Sequence, residues 1–276
     1  MMINYRYVFE SEINRGAFGI IYRGIDKRSQ EKVAIKIELP HSPASLKYEV
    51  KILTYLKTNK IKRVPEIFWY GFYNRVPCLV MTYYNSSLYD YFQRSNVKIC
   101  IDIIYNWMYQ IVEIIETFHK VFLLHRDIKP QNIMIKGSSI YFIDFGLSTF
   151  YIGADREHTK DYEDISQEKE DRIIGSLKFA SIFLHQGHHY SRRDDFISAV
   201  YIFAYLLLGG QTPWFHRDMK ITEQNKTKDI FMTILNENSK ENDLTMFRYF
   251  LEYCYQLSYD ETPNYESMKQ LFFNRC

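Results

Sequence analysis

The feature that most constrains the fold is the hydrophobic pattern of the first 84 residues, where strand-like runs surround a single helical segment. Three runs in residues 5–38 are separated by the polar stretches "NRGAFG" and "DKRSQE", which favours an antiparallel meander. Residues 45–57 carry apolar side chains at helical spacing behind Ser45, which predicts a helix with a serine N-cap. Two more strand-like runs, "EIFWYGFY" and "PCLVMTYY", follow. The pattern predicts a small sheet with one helix.

The pattern changes after the polar stretch "TYYNSS" at residues 82–87. A long amphipathic helix is predicted near 102–121, short strands at "NIMIK" and "IYFIDF", and helices from Asp195 to the end. The acidic stretch 155–172 is predicted to be a flexible loop. The sequence thus predicts an α+β fold with a small antiparallel-sheet lobe at 1–81, a hinge at 82–87 and a larger, mainly helical lobe at 88–276.

Composition restricts the class of protein. With 276 residues, 46% of them hydrophobic and 17% aromatic, the chain can bury a core that offsets the entropy of ordering it. A formal charge of +2 argues against direct binding of nucleic acid as the main task. The four cysteines form no CxxC pair, and no signal peptide or apolar run of ~18 residues is present. We expect a soluble intracellular protein, cytoplasmic or nuclear, with no membrane partner.

Two features of the predicted sheet suit a bound nucleotide. Gly16 and Gly19 lie in a turn between strands, where backbone N–H groups could approach phosphate oxygens, although a plain glycine hairpin is an equally good explanation. Lys36 ends the strand "VAIK", and Glu49 on the following helix could orient its ammonium. The alternative is a solvated lysine in an exposed ion pair that contributes ~0–1 kcal/mol.

The stretch "LLHRDIKPQN" carries the strongest chemical signal. Asp127, Lys129 and Asn132 follow His-Arg with the spacing of the phosphoryl-transfer loop, and Asp144-Phe145-Gly146 begins twelve residues after Asn132. Asn132 and Asp144 offer the hard oxygen ligands that Mg²⁺ prefers. Lys129 and Lys36 offer positive charge, and Asp127 can accept the proton of a hydroxyl. The order of these residues predicts phosphoryl transfer.

With these motifs the chain resembles the eukaryotic protein kinase catalytic domain and, within it, the casein kinase 1 family over nearly its whole length. Most protein kinases have Ala-Pro-Glu, with the Glu paired to a buried Arg, where "GSLKFASIFLH" has Ala180-Ser181-Ile182. The stretch "YSRRDDFISAVYIFAYLLLGGQTPW" is similar to a family signature that implies hydrogen bonds from Asp195 to the catalytic-loop backbone. The stretch "LSYDETPNYESMKQLF" is similar to the closing helix of the family.

The resemblance implies a role for each matching residue. Asp127 would be the catalytic base and Lys129 would contact the γ-phosphate of ATP. Asn132 and Asp144 would bind Mg²⁺, and Lys36, held by Glu49, would bind the α- and β-phosphates. The implied adenine contacts are the side chains of Ile13, Ile21, Ala34, Met134 and Ile143, the backbone of Thr82 and Tyr84, and Met81 as gatekeeper.

The chain departs from the casein kinase 1 pattern at several positions. Asn14 replaces the first glycine of the loop, and since Asn tolerates positive φ we expect the turn to be kept. Lys178 stands where Arg is common, which removes a bidentate fork, and Ser148, Thr149 and Phe150 stand where lysines are usual. Lys178, Arg126 and Lys220 are candidates for an anion site, and scattered solvated cations are an equal alternative.

The sequence therefore predicts a serine/threonine protein kinase that uses ATP and Mg²⁺ and acts on acidic or already phosphorylated proteins. Lys129, two residues after the aspartate, is typical of serine/threonine specificity. We expect a monomer that is constitutively active, because Ala-Pro-Glu is absent and the chain ends soon after its last predicted helix. The alternatives are a pseudokinase scaffold with the same fold and a small-molecule phosphotransferase.

Overall fold

The computed structural model describes residues 2–16, 19–40, 45–94, 99–153, 157–159, 175–238 and 244–273. The predicted acidic loop at 155–172 therefore lies outside the described residues except at 157–159. The chain divides into two compact units. The first contains Met1–Ser87 and Met134–Ser148, and the second contains Leu88–Ile133 and Thr149–Cys276. The proposed hinge role of residues 82–87 stays a prediction.

The first unit is built on an antiparallel six-stranded sheet with the order β1-β2-β3-β4-β6-β5. Its strands are β1 (Met2–Ile3), β2 (Tyr7–Gly16), β3 (Gly19–Asp26), β4 (Lys32–Ile37), β5 (Ile67–Tyr73) and β6 (Val76–Thr82). The meander predicted for residues 5–38 corresponds to β2, β3 and β4 and is confirmed.

The register of β3, β4 and β6 separates the two faces of this sheet. One face carries a buried apolar cluster, formed by Ile3, Tyr7, Val33, Ile35, Cys78 and Val80. Side chains alternate along a strand, and directly paired residues of antiparallel strands share a face. Ile21 pairs with Lys36, and Ala34 pairs with Met81. These four residues therefore lie on the face opposite the cluster.

Helix α1 (Leu46–Thr58) begins where the serine N-cap was predicted, but the serine hydroxyl does not cap it. Ser45 has the extended backbone of an N-cap, with φ −80° and ψ 126°, and makes no side-chain capping bond. The first helical amide, that of Leu46, donates instead to Glu38 Oε2 at 2.6 Å. A carboxylate from the end of β4 therefore satisfies a donor that the helix itself leaves unpaired.

Replacing Glu38 by alanine should destabilise the protein by ~0.5–2 kcal/mol, the usual cost of losing an N-cap. Ser45→Ala is the matched control and should stay within ~0.5 kcal/mol of wild type. Urea unfolding measures both. Equal losses for the two variants would show that Glu38 does not cap α1.

A second, three-stranded sheet completes the first unit. It consists of β7 (Ser86–Ser87), β9 (Ile133–Lys136) and β10 (Ser139–Phe142) in the order β10-β9-β7. The sequence predicted one strand over "IYFIDF", but β10 ends at Phe142. Ile143 and Asp144 therefore lie beyond the strand. Asp144 has a left-handed backbone conformation, with φ 65°, which is incompatible with an extended strand.

The second unit is mainly helical. Its helices, among the described residues, are α2 (Leu88–Arg94), α3 (Ile101–Lys120), α4 (Ile182–His185), α5 (Arg192–Leu207), α6 (Met219–Asn225), α7 (Lys228–Asn238), α8 (Thr245–Gln256) and α9 (Tyr265–Phe273). The predicted helix near 102–121 is confirmed as α3. A short ladder joins β8 (Leu123–Leu124) to β11 (Thr149–Phe150). A 3₁₀ turn spans Pro130–Asn132.

Helix α5 is the centre of the second unit. All of its residues are buried, and it packs against α3 and α8. It begins at Arg192, three residues before the predicted start, because the Asp194 carboxylate accepts the Ser191 amide at 2.7 Å and caps the helix. The short helix α4 was not predicted. These elements confirm the predicted α+β class, with an antiparallel-sheet N-lobe and a helical C-lobe. Among the described residues, none of the helices combines the length and apolar character needed to cross a bilayer.

Candidate active site

One ammonium and two carboxylates form a buried cluster in the first unit. Lys36 Nζ, on β4, lies 2.7 Å from Glu49 Oε2 of α1 and 2.9 Å from Asp144 Oδ1. The Lys36 and Glu49 side chains are 5% and 2% exposed, and that of Asp144 is 24% exposed. The pair that the sequence suggested is therefore present and buried, unlike an ordinary surface ion pair.

The carboxylates keep Lys36 charged. Burial alone would lower the pKa of this ammonium, but the charges of Glu49 and Asp144 outweigh burial and raise the pKa above its ordinary value of 10.5. Lys36 is therefore a fixed positive charge at neutral pH. Asp144 is the member of the cluster that solvent reaches most easily.

The predicted adenine contacts belong to the first unit, and several share the Lys36 face of the sheet. Ile21, Ala34 and Met81 lie on this face by register. The Thr82 amide donates to Glu66 O at 3.0 Å. Tyr84 is buried and its ring lies 4.8 Å from that of Tyr141. The adenine-binding role of these residues stays a prediction.

Three other predicted adenine contacts occupy different positions in the same unit. Ile13, on β2, is exposed. Met134, on β9, is buried and pairs with Ser87 of β7. Ile143 follows β10 and is partly buried. Their contact with adenine also stays a prediction.

The glycine turn lies where it was predicted, at the end of the β2–β3 hairpin. Gly16 pairs with Gly19, and residues 17–18 lie outside the described part of the chain. Gly19 has φ 150°, and a Cβ on it would lie 2.4 Å from Ile37 O, so close backbone packing already requires glycine there. The turn is kept with Asn14 in place of glycine, and Asn14 itself is paired with Ile21 in β2 and does not have a positive φ.

The Asp127 carboxylate is the centre of a hydrogen-bond cluster in the second unit. Its Oδ2 accepts Lys129 Nζ at 2.6 Å and Asn132 Nδ2 at 2.9 Å. Its Oδ1 accepts the Ser176 amide at 3.1 Å. Asn132 Nδ2 also donates to Asp127 O at 2.9 Å. The three residues of the predicted catalytic loop are therefore brought together around one buried carboxylate.

Asp195 holds the backbone of this loop, as the resemblance implied. Its carboxylate accepts the amides of His125 at 2.8 Å and Arg126 at 3.0 Å, and lies 3.2 Å from His119 Nε2. Burial lowers the pKa of His119 and favours the neutral ring, and because the Asp195 carboxylate can only accept, the Nε2–H of His119 donates to it. His119 Nδ1 then accepts the Tyr265 hydroxyl at 3.0 Å. The loop backbone is thus anchored to α5 and, through His119, to α9.

The donor set of the predicted metal ligands fits Mg²⁺. Asn132 uses its amide nitrogen on Asp127, which leaves the carbonyl oxygen as the atom suited to a cation. Asp144 contributes a carboxylate. No group of three or more His, Cys, Asp or Glu within the described residues could hold a metal ion by itself.

The candidate anion-site cations lie in different local environments. The Lys178 ammonium lies 4.8 Å from the centre of the Phe215 ring, and the Arg126 guanidinium lies 5.5 Å from that of Tyr190. Lys220 is exposed on α6. Ser148, in the place of a usual lysine, is buried. The anion site stays a prediction, and so does the alternative of scattered, solvated cations.

Sequence reasoning missed three residues that contact or support the Asp127 loop. Ser176 offers only its backbone amide to Asp127, and no side-chain pattern predicts such a bond. Gly175 has φ 98°, and a Cβ there would lie 2.7 Å from Arg126 O, so a side chain at this position would clash with the loop. His119 occupies an apolar face of α3, where helical periodicity could have flagged a buried histidine.

Comparison with known families identifies the class. A family model described as "Protein kinase domain" matches residues 7–272, and proteins of this family are phosphotransferases. The chain therefore belongs to the protein kinase domain family. Members of this family use ATP and a divalent metal ion in general, and they act on proteins.

Proposed function

We propose that the chain is an active serine/threonine protein kinase that transfers the γ-phosphate of ATP to hydroxyl groups of proteins. The observation that carries this proposal is the hydrogen-bond cluster of Asp127. A carboxylate can accept about four hydrogen bonds. Lys129, Asn132 and the Ser176 amide supply three, and the acceptor position that remains is on Oδ1.

The remaining position on Oδ1 suits the proton of a substrate hydroxyl. Asp127 would orient that hydroxyl towards the phosphorus and accept its proton as the new P–O bond forms. Lys129 neutralises the carboxylate from the Oδ2 side and would stabilise charge on the transferred group. Its position two residues after Asp127 supports serine/threonine specificity.

The Lys36 cluster supports the binding of the nucleotide phosphates. Its ammonium is fixed by Glu49 and stays charged, so it is preorganised to neutralise phosphate oxygens. When bound, Mg²⁺ would neutralise phosphate charge, and Asn132 and Asp144 are the residues that would hold it. A pseudokinase would share the fold but would usually lack Lys36, Asp127 or Asp144, so the presence of all three supports an active kinase.

A phosphorylation assay tests the proposal. Peptides identical except for Ser, Thr or Tyr at the acceptor position are incubated with the purified chain, labelled ATP and Mg²⁺. We expect label on the Ser and Thr peptides, none on the Tyr peptide, and none when the metal is chelated. ATP binding without transfer to any peptide would favour the pseudokinase. Transfer only to small hydroxyl compounds would favour the small-molecule phosphotransferase.

The finer features of the substrate rest on the resemblance to casein kinase 1. We propose acidic or already phosphorylated substrates, supported by Lys178, Arg126 and Lys220 as candidate cations. We also propose constitutive activity, supported by the absence of Ala-Pro-Glu and by the hydrogen bond from the Ser181 hydroxyl to Asp194, which anchors the Ala180-Ser181-Ile182 segment. Rates of phosphorylation of neutral, acidic and phosphorylated peptides test the substrate preference. The same rates measured after treatment with an upstream kinase test the constitutive activity.

A further inference from the structure

Lys226 is a fully buried lysine whose partners are all uncharged. It follows α6, and its Nζ donates to Leu177 O at 2.8 Å and to Ala180 O at 2.6 Å. The same nitrogen lies 3.2 Å from His185 Nε2 and 4.6 Å from the centre of the Tyr201 ring. No carboxylate among the described residues lies within ion-pair distance of it.

Packing alone does not account for a lysine in this place. Removing an amine from water is costly unless polar partners replace the lost hydration, and an apolar side chain of similar length would fill the volume without that cost. The cost is offset here by two carbonyls and a ring nitrogen. Those carbonyls belong to a four-residue stretch, residues 177–180.

A second buried donor holds the same stretch. Trp214 Nε1 donates to Lys178 O at 2.9 Å, so three of the four carbonyls of residues 177–180 accept bonds from Lys226 or Trp214. The backbones of Lys226 and Trp214 are themselves held by hydrogen bonds. Asn225 Nδ2 donates to Trp214 O at 3.1 Å, and the Tyr255 hydroxyl donates to Lys226 O at 2.8 Å.

The stretch that these donors hold begins next to the catalytic carboxylate. Ser176, the residue immediately before it, donates its amide to Asp127 Oδ1 at 3.1 Å. A peptide whose hydroxyl reaches Asp127 must therefore pass along residues 177–180 on one side of its acceptor. Displacement of this backbone would misplace the hydroxyl, and an error of ~1 Å can cost 10²-fold in rate.

We propose that Lys226 is a positioning residue that sets the 177–180 backbone as the surface against which substrate residues next to the acceptor hydroxyl dock. Its hydrogen bonds to Leu177 O and Ala180 O take the place of the ion pair that an Ala-Pro-Glu segment would make. The inference rests on the proposed kinase function and adds to it the residue that orders the peptide-binding stretch.

The variant Lys226→Met tests this role, because methionine keeps the length of the side chain and removes the three polar contacts. We expect kcat/KM for a Ser peptide to fall roughly 10–100-fold. KM for ATP and the slow hydrolysis of ATP by water should stay within about twofold, since neither needs an ordered peptide. The exposed neighbour gives the control Lys228→Met, which should match wild type in all three measurements.

Two outcomes overturn the proposal: unchanged peptide kinetics in Lys226→Met, or a proportional fall in peptide transfer and ATP hydrolysis, which indicates a structural role only. If a thermal melt shows that Lys226→Met does not fold, the variant Trp214→Phe is tested in its place, because it removes the donor to Lys178 O and keeps an aromatic ring. We then expect kcat/KM for the Ser peptide to fall about 3–10-fold while ATP hydrolysis is unchanged. Wild-type peptide kinetics in Trp214→Phe would refute the proposal. Wild-type protein that labels no peptide at all refutes the kinase function itself, which is a separate result.

Discussion

Replacing Asp127 by asparagine is expected to lower kcat for peptide phosphorylation by ~10²–10⁴-fold, the usual contribution of a positioned general base. The amide cannot accept the hydroxyl proton, and it cannot neutralise the Lys129 ammonium. KM for ATP should change little, because Asp127 binds neither adenine nor the phosphates in the proposed mechanism. Steady-state kinetics with a Ser peptide and varied ATP measure both constants.

The control for this variant is Asp102→Asn, which makes the same chemical change at an exposed carboxylate on α3. Its kcat should equal that of wild type. Circular dichroism and a thermal melt should show that Asp127→Asn remains folded. Undiminished transfer by folded Asp127→Asn would exclude Asp127 as the base.

The second large effect is expected for Lys36→Met, which removes the only positive charge in the Lys36–Glu49–Asp144 cluster. We expect kcat/KM to fall by ~10²–10³-fold, as for other preorganised electrostatic groups. Stability should also fall, by ~3–5 kcal/mol, because Glu49 is left buried without its partner. Kinetics and urea unfolding report the two losses separately.

A double variant separates the two roles of Lys36. Lys36→Met combined with Glu49→Met removes both members of the buried ion pair, so much of the stability should return while activity stays low. The control is Lys57→Met, whose pair with Glu66 is exposed and should contribute only ~0–1 kcal/mol. Recovery of activity together with stability in the double variant would show that Lys36 is needed only for folding.

The charge of Lys36 also predicts how its contribution depends on pH. Its pKa is raised in the folded state, so the stabilisation is complete below the ordinary lysine pKa of 10.5 and is lost only as the pH rises through the higher folded value. The contribution therefore covers the whole neutral range.

The sequence predicted the elements that depend on local pattern. Strand-like patterns identified β2 to β6 of the six-stranded sheet but not β1, helical spacing identified α1 and α3, and fixed motif spacing identified the residues around Asp127. The Lys36–Glu49 contact could also be predicted from the sequence, because the two residues are thirteen positions apart on adjacent elements. These features lie within short stretches of chain, where residue type and spacing carry the information.

The features that the sequence did not predict depend on contacts between distant residues or on backbone atoms. Glu38 caps α1 because β4 ends beside the helix, while Ser45, the better cap by residue type, makes no capping bond. Asp144 reaches Lys36, 108 residues away, through a left-handed turn beyond its strand. Lys226 contacts carbonyls 46 and 49 residues away, and carbonyls have no residue-type signature.

Two adjacent aspartates near the start of α5, Asp194 and Asp195, bind two different segments of the second unit. Asp195 holds the backbone before Asp127, and Asp194 accepts the Ser181 hydroxyl just after the 177–180 stretch. A single buried helix thus positions both the backbone before Asp127 and the stretch proposed to receive the substrate. Because both are bonded to neighbouring residues of α5, we expect a small displacement of this helix to move them together and keep them aligned.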